Sequence, residues 1–255
     1  MGATLENSEG LDRVFYELAS ESRLGILREL LTKNFKMQEV ARKLGLTDTE
    51  AFRQLQRLSE ALLIQRLPDG AYSITQYGKL LMLFSRSFIF ASNFKKCLMT
   101  RDIWRLPEPF IERFGELSAA SLNTDTIEML NAAELLVTNV EKHLWVMSDR
   151  PMKLMDSQII EHYQKNPFTV KIIFAESSLS HWQNVPEIKG VLEKRYVPVI
   201  PASMVISEKY AGINLFSVDG RADSAIFYGK DSVFLKWATD LFLYYWEQGK
   251  RCYMP

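Results

Sequence analysis

Cysteine and histidine are scarce in this 255-residue chain, which has two of the first, Cys97 and Cys252, and three of the second. Two thiols so far apart form no disulfide framework. With no CxxC pair and no His/Cys cluster, no metal site and no cofactor is expected. A reducing, cytoplasmic compartment is the expectation that follows. No apolar stretch of signal-peptide type opens the sequence. The longest apolar run, Leu80 to Phe94, is interrupted by Arg86 and Asn93 and is too short to span a bilayer, so no membrane partner is expected. Three histidines leave acid–base catalysis few players. The sequence contains no GxSxG, no GxGxxG after a strand and no phosphate-cradling loop. Catalytic residues are therefore not assigned, and the chain is expected not to be an enzyme.

Net charge is also absent, with 31 Lys and Arg against 31 Asp and Glu, but the balance is uneven along the chain. Residues 34–96 hold ten basic and five acidic residues, whereas the chain from residue 101 onward holds 17 basic and 20 acidic. A basic excess confined to one segment is what attraction to phosphate calls for.

That segment contains MQEVARKLGLTDTEAFRQLQRLSEALLIQRLPDGAYSIT, residues 37–75. It reads as helix, tight turn, helix, strand, turn and strand. Gly45, between Leu44 and Leu46, supplies the positive φ that closes the first helix. Thr47 offers a capping oxygen to the second helix, and Glu50 three residues on completes a capping box. Ala51, Leu55, Leu58 and Leu62 fall on one buried face. The remaining faces carry Asp48, Thr49, Glu50, Phe52, Arg53, Gln54, Gln56 and Arg57, and Arg and Gln are well shaped to read purine edges in a major groove. Pro68-Asp69-Gly70 marks a hairpin that would bring Arg66 near a phosphate or minor groove. This is the order of parts in a DNA-binding winged helix. Its candidate contacts to double-stranded DNA are Thr47, Thr49, Phe52, Arg53, Gln54, Gln56, Arg57 and Arg66.

The segment resembles the winged-helix half of the arsenic-repressor-type transcription regulators, whose recognition helix often reads T-V-S-R-H-L-x-x-L. The matching positions are Glu50, Ala51, Phe52, Arg53, Gln54, Leu55 and Leu58, so the Arg and the Leu pair are kept. Phe52 and Glu50 depart from the pattern, and the base sequence read by the family does not carry over. Tyr72 to Gly78 is similar to the Y-x-L-T-x-x-G that closes the wing. Members of that family often sense metals through cysteine pairs on helices, and this chain has no such pair.

Two amphipathic helices precede the segment, over 11–18 and 22–33, with Ser20 or Ser22 placed to cap the second. Residues 1–10 are polar and read as unstructured. After Gly78 a long helix, apolar over much of its circumference, runs to about Met99. It is either buried between two domains of one chain or, the reading favoured here, a linker that pairs two subunits over about 79–96. Paired winged helices are what a palindromic site requires. Trp104 to Pro109 marks a boundary. The domains are expected to be 1–98, a winged helix-turn-helix with its linker helix, and 99–255, a mixed α/β domain.

Within that second half PEPFIERFGEL, 125–140, 152–165, 187–195 and 233–248 read as helices. ASLN, HLWVM, FTVKIIFA, YVPVI, SMVIS, INLFSVD and SAIFYG read as strands, an alternation that suggests helices packed on a mixed sheet. Asp102 to Phe110, Phe114 to Leu117, Asp219 to Asp223 and the terminal Phe242, Tyr244, Tyr245 and Trp246 resemble the middle domain of archaeal methanogenesis-type regulators. The resemblance implies a sensor domain distantly like one half of a phospholipase D, with a small-molecule ligand where one exists. A phospholipase D site needs HxKxxxxD. His143 is followed by Trp145 and Arg150, so that motif is absent.

Ligands of open α/β sheets bind beyond the carboxyl ends of strands. Ser148, Asp149, Arg150, Glu176 and Arg221 are therefore the candidate effector residues, with Arg150 and Arg221 suited to an anion. The fold expected is α+β or α/β in two domains. The function expected is a homodimeric, sequence-specific transcription regulator modulated by a small molecule. A winged helix used for protein–protein contact and a degenerate hydrolase-like enzyme are the alternatives.

Overall fold

The computed structural model describes residues 9–125, 127, 139–151, 168–182, 192–220 and 223–252. Its backbone packing separates two units, Met1–Ser85 and Arg86–Pro255. Some sequence expectations lie outside the described residues: the start over 1–8, nearly all of the helix over 125–140, the helix over 152–165, the first part of 187–195, and Arg221.

The first unit contains α1 (Glu9–Leu18), α2 (Glu21–Thr32), α3 (Met37–Leu44), α4 (Asp48–Glu60), β1 (Ile64–Arg66), β2 (Tyr72–Ile74) and the start of α5 (Gln76–Asn93). Ser20 caps α2, its Oγ accepting from Arg23 N at 3.4 Å. Gly45 ends α3 at φ +65°, and Thr47 Oγ1 accepts from Glu50 N at 3.2 Å to start α4. The helix-turn-helix thus follows from one residue free of a Cβ and one short hydroxyl. Ala51, Leu55 and Leu58 are fully buried, and Leu55 and Leu58 pack in one core with Ile26, Leu27 and Leu30 of α2. Leu62, expected on the same face, is 70% exposed instead. The helix stops at Glu60, Leu62 turns out at φ +61°, and Leu63 takes the buried place.

The wing is an antiparallel pair in the register Ile64↔Ile74, Gln65↔Ser73 and Arg66↔Tyr72. Gly70 at φ +82° and the Asp69 carboxylate, accepting from Ala71 N at 3.0 Å, shape its tip. Phe35 adds a third edge by exchanging two backbone bonds with Tyr72, at 2.8 and 3.3 Å. A bridge of one residue leaves no period-2 pattern, so the sequence does not announce it.

The division between units falls inside α5, before the sequence boundary at 98/99. Met82 belongs to the first core, and Phe90 to the second. The helix ends at Asn93 rather than running to Met99. Phe94 leaves helical geometry at φ −109°, and a short α6 (Lys95–Leu98) follows. Leu80, Leu83, Phe84 and Phe88 on α5 are exposed.

Among the described residues the second unit is built on an eight-stranded sheet in the order β10-β6-β5-β4-β7-β8-β9-β3. These are β3 (Ser121–Asn123), β4 (His143–Met147), β5 (Thr169–Ala175), β6 (Leu192–Val197), β7 (Ala202–Ser207), β8 (Ala211–Leu215), β9 (Ile226–Gly229) and β10 (Lys250–Arg251). β4, β5 and β6 are parallel, and every other pairing is antiparallel. Leu192 to Arg195, expected to be helical, lie in β6, where pairing with β5 sends Leu192 and Tyr196 to the core on one sheet face. PEPFIERFGEL breaks into α7 (Glu108–Glu112) and a 3₁₀ turn (Phe114–Leu117).

Both faces of the sheet are covered. Along β4, Leu144 and Val146 enter one core while Trp145 and Met147 face the other. On the first side Trp182, from the one-turn helix α8 (Leu179–Trp182), packs with Phe174. On the second, α9 (Ser232–Gln248) buries Phe234, Trp237, Ala238, Leu241, Phe242 and Trp246, a helical stripe of large rings. Trp237 Nε1 donates to the Phe110 carbonyl at 3.1 Å, so the ring is buried without leaving its N–H unpaired.

Candidate nucleic-acid interface

The eight residues expected to face DNA divide sharply once α4 and the wing are in place. Thr49, Phe52 and Arg53 are exposed on α4, and Arg66 is exposed on the wing. Neither Arg53 nor Arg66 has a carboxylate within ion-pair reach among the described residues. Thr47 is exposed, but its hydroxyl is committed to the helix cap. Gln56 is exposed, with its Nε2 donating to Glu60 Oε1 at 2.9 Å.

Gln54 is corrected by the structure. It is buried, and its Oε1 accepts from the Arg23 guanidinium at 3.2 Å, so it cannot reach a base edge. Arg57 is half-buried and held by α1. It lies 3.4 Å from Glu17 Oε1 and over the Tyr16 ring at 5.0 Å. A hydrogen bond from Arg57 and its positive charge draw the Tyr16 hydroxyl below its ordinary pKa. Arg23 completes this cluster by donating to Glu17 O at 2.8 Å and to Tyr16 O at 2.6 Å, with its Nε 3.0 Å from Glu17 Oε2. Tyr16, Glu17, Arg23, Gln54 and Arg57 therefore hold the back of α4 to α1 and α2. Sequence reasoning passed over this cluster, although it left a signal. Arg23 sits three, four and seven residues before Ile26, Leu27 and Leu30, on an apolar face where an arginine must find buried partners.

The electrostatics at the start of α4 are unusual for a phosphate site. The helix dipole presents partial positive charge there, but Asp48 and Glu50 already occupy the first turn. Phosphate is repelled from that end. The face left for a groove is the middle of α4 together with Arg66.

At the sheet, Ser148, Asp149 and Arg150 leave the carboxyl end of β4 while Glu176 leaves that of the parallel neighbour β5. The structure brings these four to one edge, and Arg221 lies outside the described residues. Asp149 Oδ1 accepts from Ala175 N at 3.0 Å, so this carboxylate ties the two strand ends together. Ser148 Oγ bonds Arg150 N and O within the same turn, and Arg150 and Glu176 are exposed. Arg101, not singled out in the sequence, is buried and donates to Asp223 Oδ2 at 2.7 Å and to Leu215 O at 3.3 Å. Asn214 Nδ2 donates to the Asp223 and Ala225 carbonyls, which ties the residues just before β9 to β8. Among the described residues no group of three or more His, Cys, Asp or Glu is placed to hold a metal ion, and no helix is long and apolar enough to cross a membrane.

Comparison with known proteins gives one family match. Residues 159–248 match the family model described as methanogenesis regulatory protein FilR1, middle domain. The matched stretch takes in Asp219 to Asp223 and the aromatic helix α9, but it begins after the Asp102 to Leu117 run. Curated protein sequences return no match. Among solved structures, TrmBL2, an archaeal chromatin protein with a novel mode of DNA binding, is similar at 15% identity over 94% of this chain and 99% of its own, with a TM-score of 0.45. The homodimeric winged helix-turn-helix DNA-binding domain of Mycobacterium bovis Mb0332, a possible ArsR-family regulator, is similar at 25% identity over 32% of this chain and 85% of its own, with a TM-score of 0.28. The phospholipase D family member Nuc from Salmonella typhimurium is similar at 12% identity over 54% of this chain and 99% of its own, with a TM-score of 0.37. Residues 159–248 are thus similar to the methanogenesis-regulator middle domain, and in this chain a helix-turn-helix with a two-stranded wing precedes the matched stretch.

Proposed function

We propose that this chain is a DNA-binding transcription regulator that acts in the cytoplasm as a homodimer and is modulated by a small molecule at its second unit. One observation carries the reading. Thr49, Phe52 and Arg53 stand exposed on the outer face of a helix anchored from behind by a buried polar cluster, with the exposed Arg66 on the adjoining wing. An α-helix of that width fits a major groove, and a free guanidinium is the best single reader of guanine. Support for pairing comes from the exposed Leu80, Leu83 and Phe84 along α5, an apolar surface that a second copy would cover. Arg150, exposed beside the ends of β4 and β5, is the group suited to an anionic effector.

A gel shift on genomic fragments across a salt series tests the reading. Affinity is expected to fall steeply as salt rises, because each neutralised phosphate releases counterions. Binding that is absent or insensitive to salt would refute it and leave protein–protein contact as the role of the winged helix. For the effector, Arg150→Ala is expected to abolish the response of DNA binding to the active anion. Unchanged affinity for every anionic metabolite tested would remove that assignment.

A further inference from the structure

Side-chain commitments on α4 narrow what this helix can read. Gln54 is internal, Arg57 is held by Glu17 and Tyr16, the Thr47 hydroxyl caps the helix, and a Gln56 N–H is bonded to Glu60. Asp48 and Glu50 close the helix start to phosphate. What remains outward on the helix is Thr49 in its first turn and, one turn further on, Arg53 beside a phenyl ring, Phe52, 54% exposed.

A phenyl ring has no donor and no acceptor to match a base edge. Of the four bases, only thymine presents an apolar group in the major groove, its C5 methyl. Exposure of a large ring at this position costs solubility and does nothing for the core, since Ala51, Leu55 and Leu58 already fill the buried face. Resting on the DNA-binding reading above, we propose that Phe52 selects thymine in each half-site by packing against its methyl group, at a base pair close to the one Arg53 reads.

The experiment uses the full-length chain. Its preferred sequence is selected from a random duplex pool, and each thymine is then replaced singly by deoxyuridine, which removes the methyl and nothing else. At one thymine per half-site the replacement is expected to weaken wild-type binding about fourfold, the size of one methyl withdrawn from an apolar contact. In Phe52→Ala that sensitivity disappears at the same position, while Phe52→Leu retains it. Because the ring is exposed, both variants should fold, and far-UV circular dichroism checks this. A selected site at which no deoxyuridine replacement costs affinity overturns the proposal, as does equal sensitivity in wild type and Phe52→Ala. A wild-type chain that enriches no sequence at all overturns the DNA-binding reading itself, and the two failures are thereby distinguished.

Discussion

Replacing Gly78 by alanine reverses the sign that helix propensity predicts. Gly78 lies in the first turn of α5, and alanine in a helix is ordinarily favoured over glycine by about 1 kcal/mol. Here a Cβ would stand 2.2 Å from the Leu63 carbonyl oxygen and 2.8 Å from Ile74 Cγ1. Neither neighbour can yield cheaply. The Leu63 carbonyl accepts from Thr75 N at 3.0 Å and from Thr75 Oγ1 at 3.1 Å, and Thr75 Oγ1 also lies 2.7 Å from the Leu62 carbonyl. Ile74 pairs with Ile64 across the wing. The Cβ must move about 1 Å to reach ordinary contact, which breaks one or two of these bonds or splays the wing from α5. Overpacking of this kind costs about 1–3 kcal/mol, and each lost bond about 1 kcal/mol more, so the net loss is about 2–4 kcal/mol.

The assay exploits the distribution of tryptophan. All five, Trp104, Trp145, Trp182, Trp237 and Trp246, lie in the second unit, so their emission reports that unit alone. Thermal unfolding followed by far-UV circular dichroism should show an early transition in Gly78→Ala, lowered by about 10 °C or more given the size of the first unit. The tryptophan transition should stay where it is in the wild type. Gly10→Ala is the control, since its Cβ would meet nothing within 4 Å, and it should be neutral or slightly stabilising. A Gly78→Ala protein as stable as wild type, or more so, would refute the packing argument.

Arg53→Ala should cost about 1–3 kcal/mol in operator binding and relax selectivity at one base pair, read by gel shift against single-substitution operators. Gln54→Ala should instead cost stability, about 1–3 kcal/mol in urea unfolding of the first unit, because the Arg23 guanidinium loses a buried acceptor. Burial pushes the Asp223 carboxyl up, but the Arg101 hydrogen bond and charge and the Ala225 amide outweigh it and hold the group below its ordinary range. A depressed carboxylate stabilises the fold above its unfolded pKa and is lost as pH falls through the folded one. The stability gap between wild type and Asp223→Asn should therefore be widest near neutrality and close in acid, measured by denaturation across pH. The pairing proposed for α5 predicts that Leu83→Glu with Phe84→Glu sediments as a monomer and keeps the wild-type far-UV circular dichroism, since both side chains are exposed in the single chain. Its unfolding midpoint should fall by the stability that pairing contributes.

The sequence by itself determined the helix-turn-helix and its wing, because these rest on local physics. Gly45 and Thr47 close and open helices through their own backbone and side-chain atoms, and Asp69-Gly70 shapes its hairpin within a few residues. Strong apolar runs such as FTVKIIFA marked buried strands for the same reason. Gly78 was legible as a motif residue, but the cause of its glycine, the Leu63 carbonyl, is brought there only by the fold. Where local pattern and pairing compete, pairing decided. Leu192 to Arg195 could pass for a helix until β5 offered a parallel partner. The candidate interface shows the same division. The sequence supplied a row of polar side chains on α4, and only tertiary packing showed that Gln54 and Arg57 are spent on Arg23 and Glu17 while Phe52 and Arg53 remain free. Partners such as Arg23 and Gln54 are 31 residues apart, and Arg101 and Asp223 are 122 apart. Hydrogen bonds across such distances have no spacing rule, so a one-dimensional pattern cannot reveal which polar groups the folded chain keeps for itself.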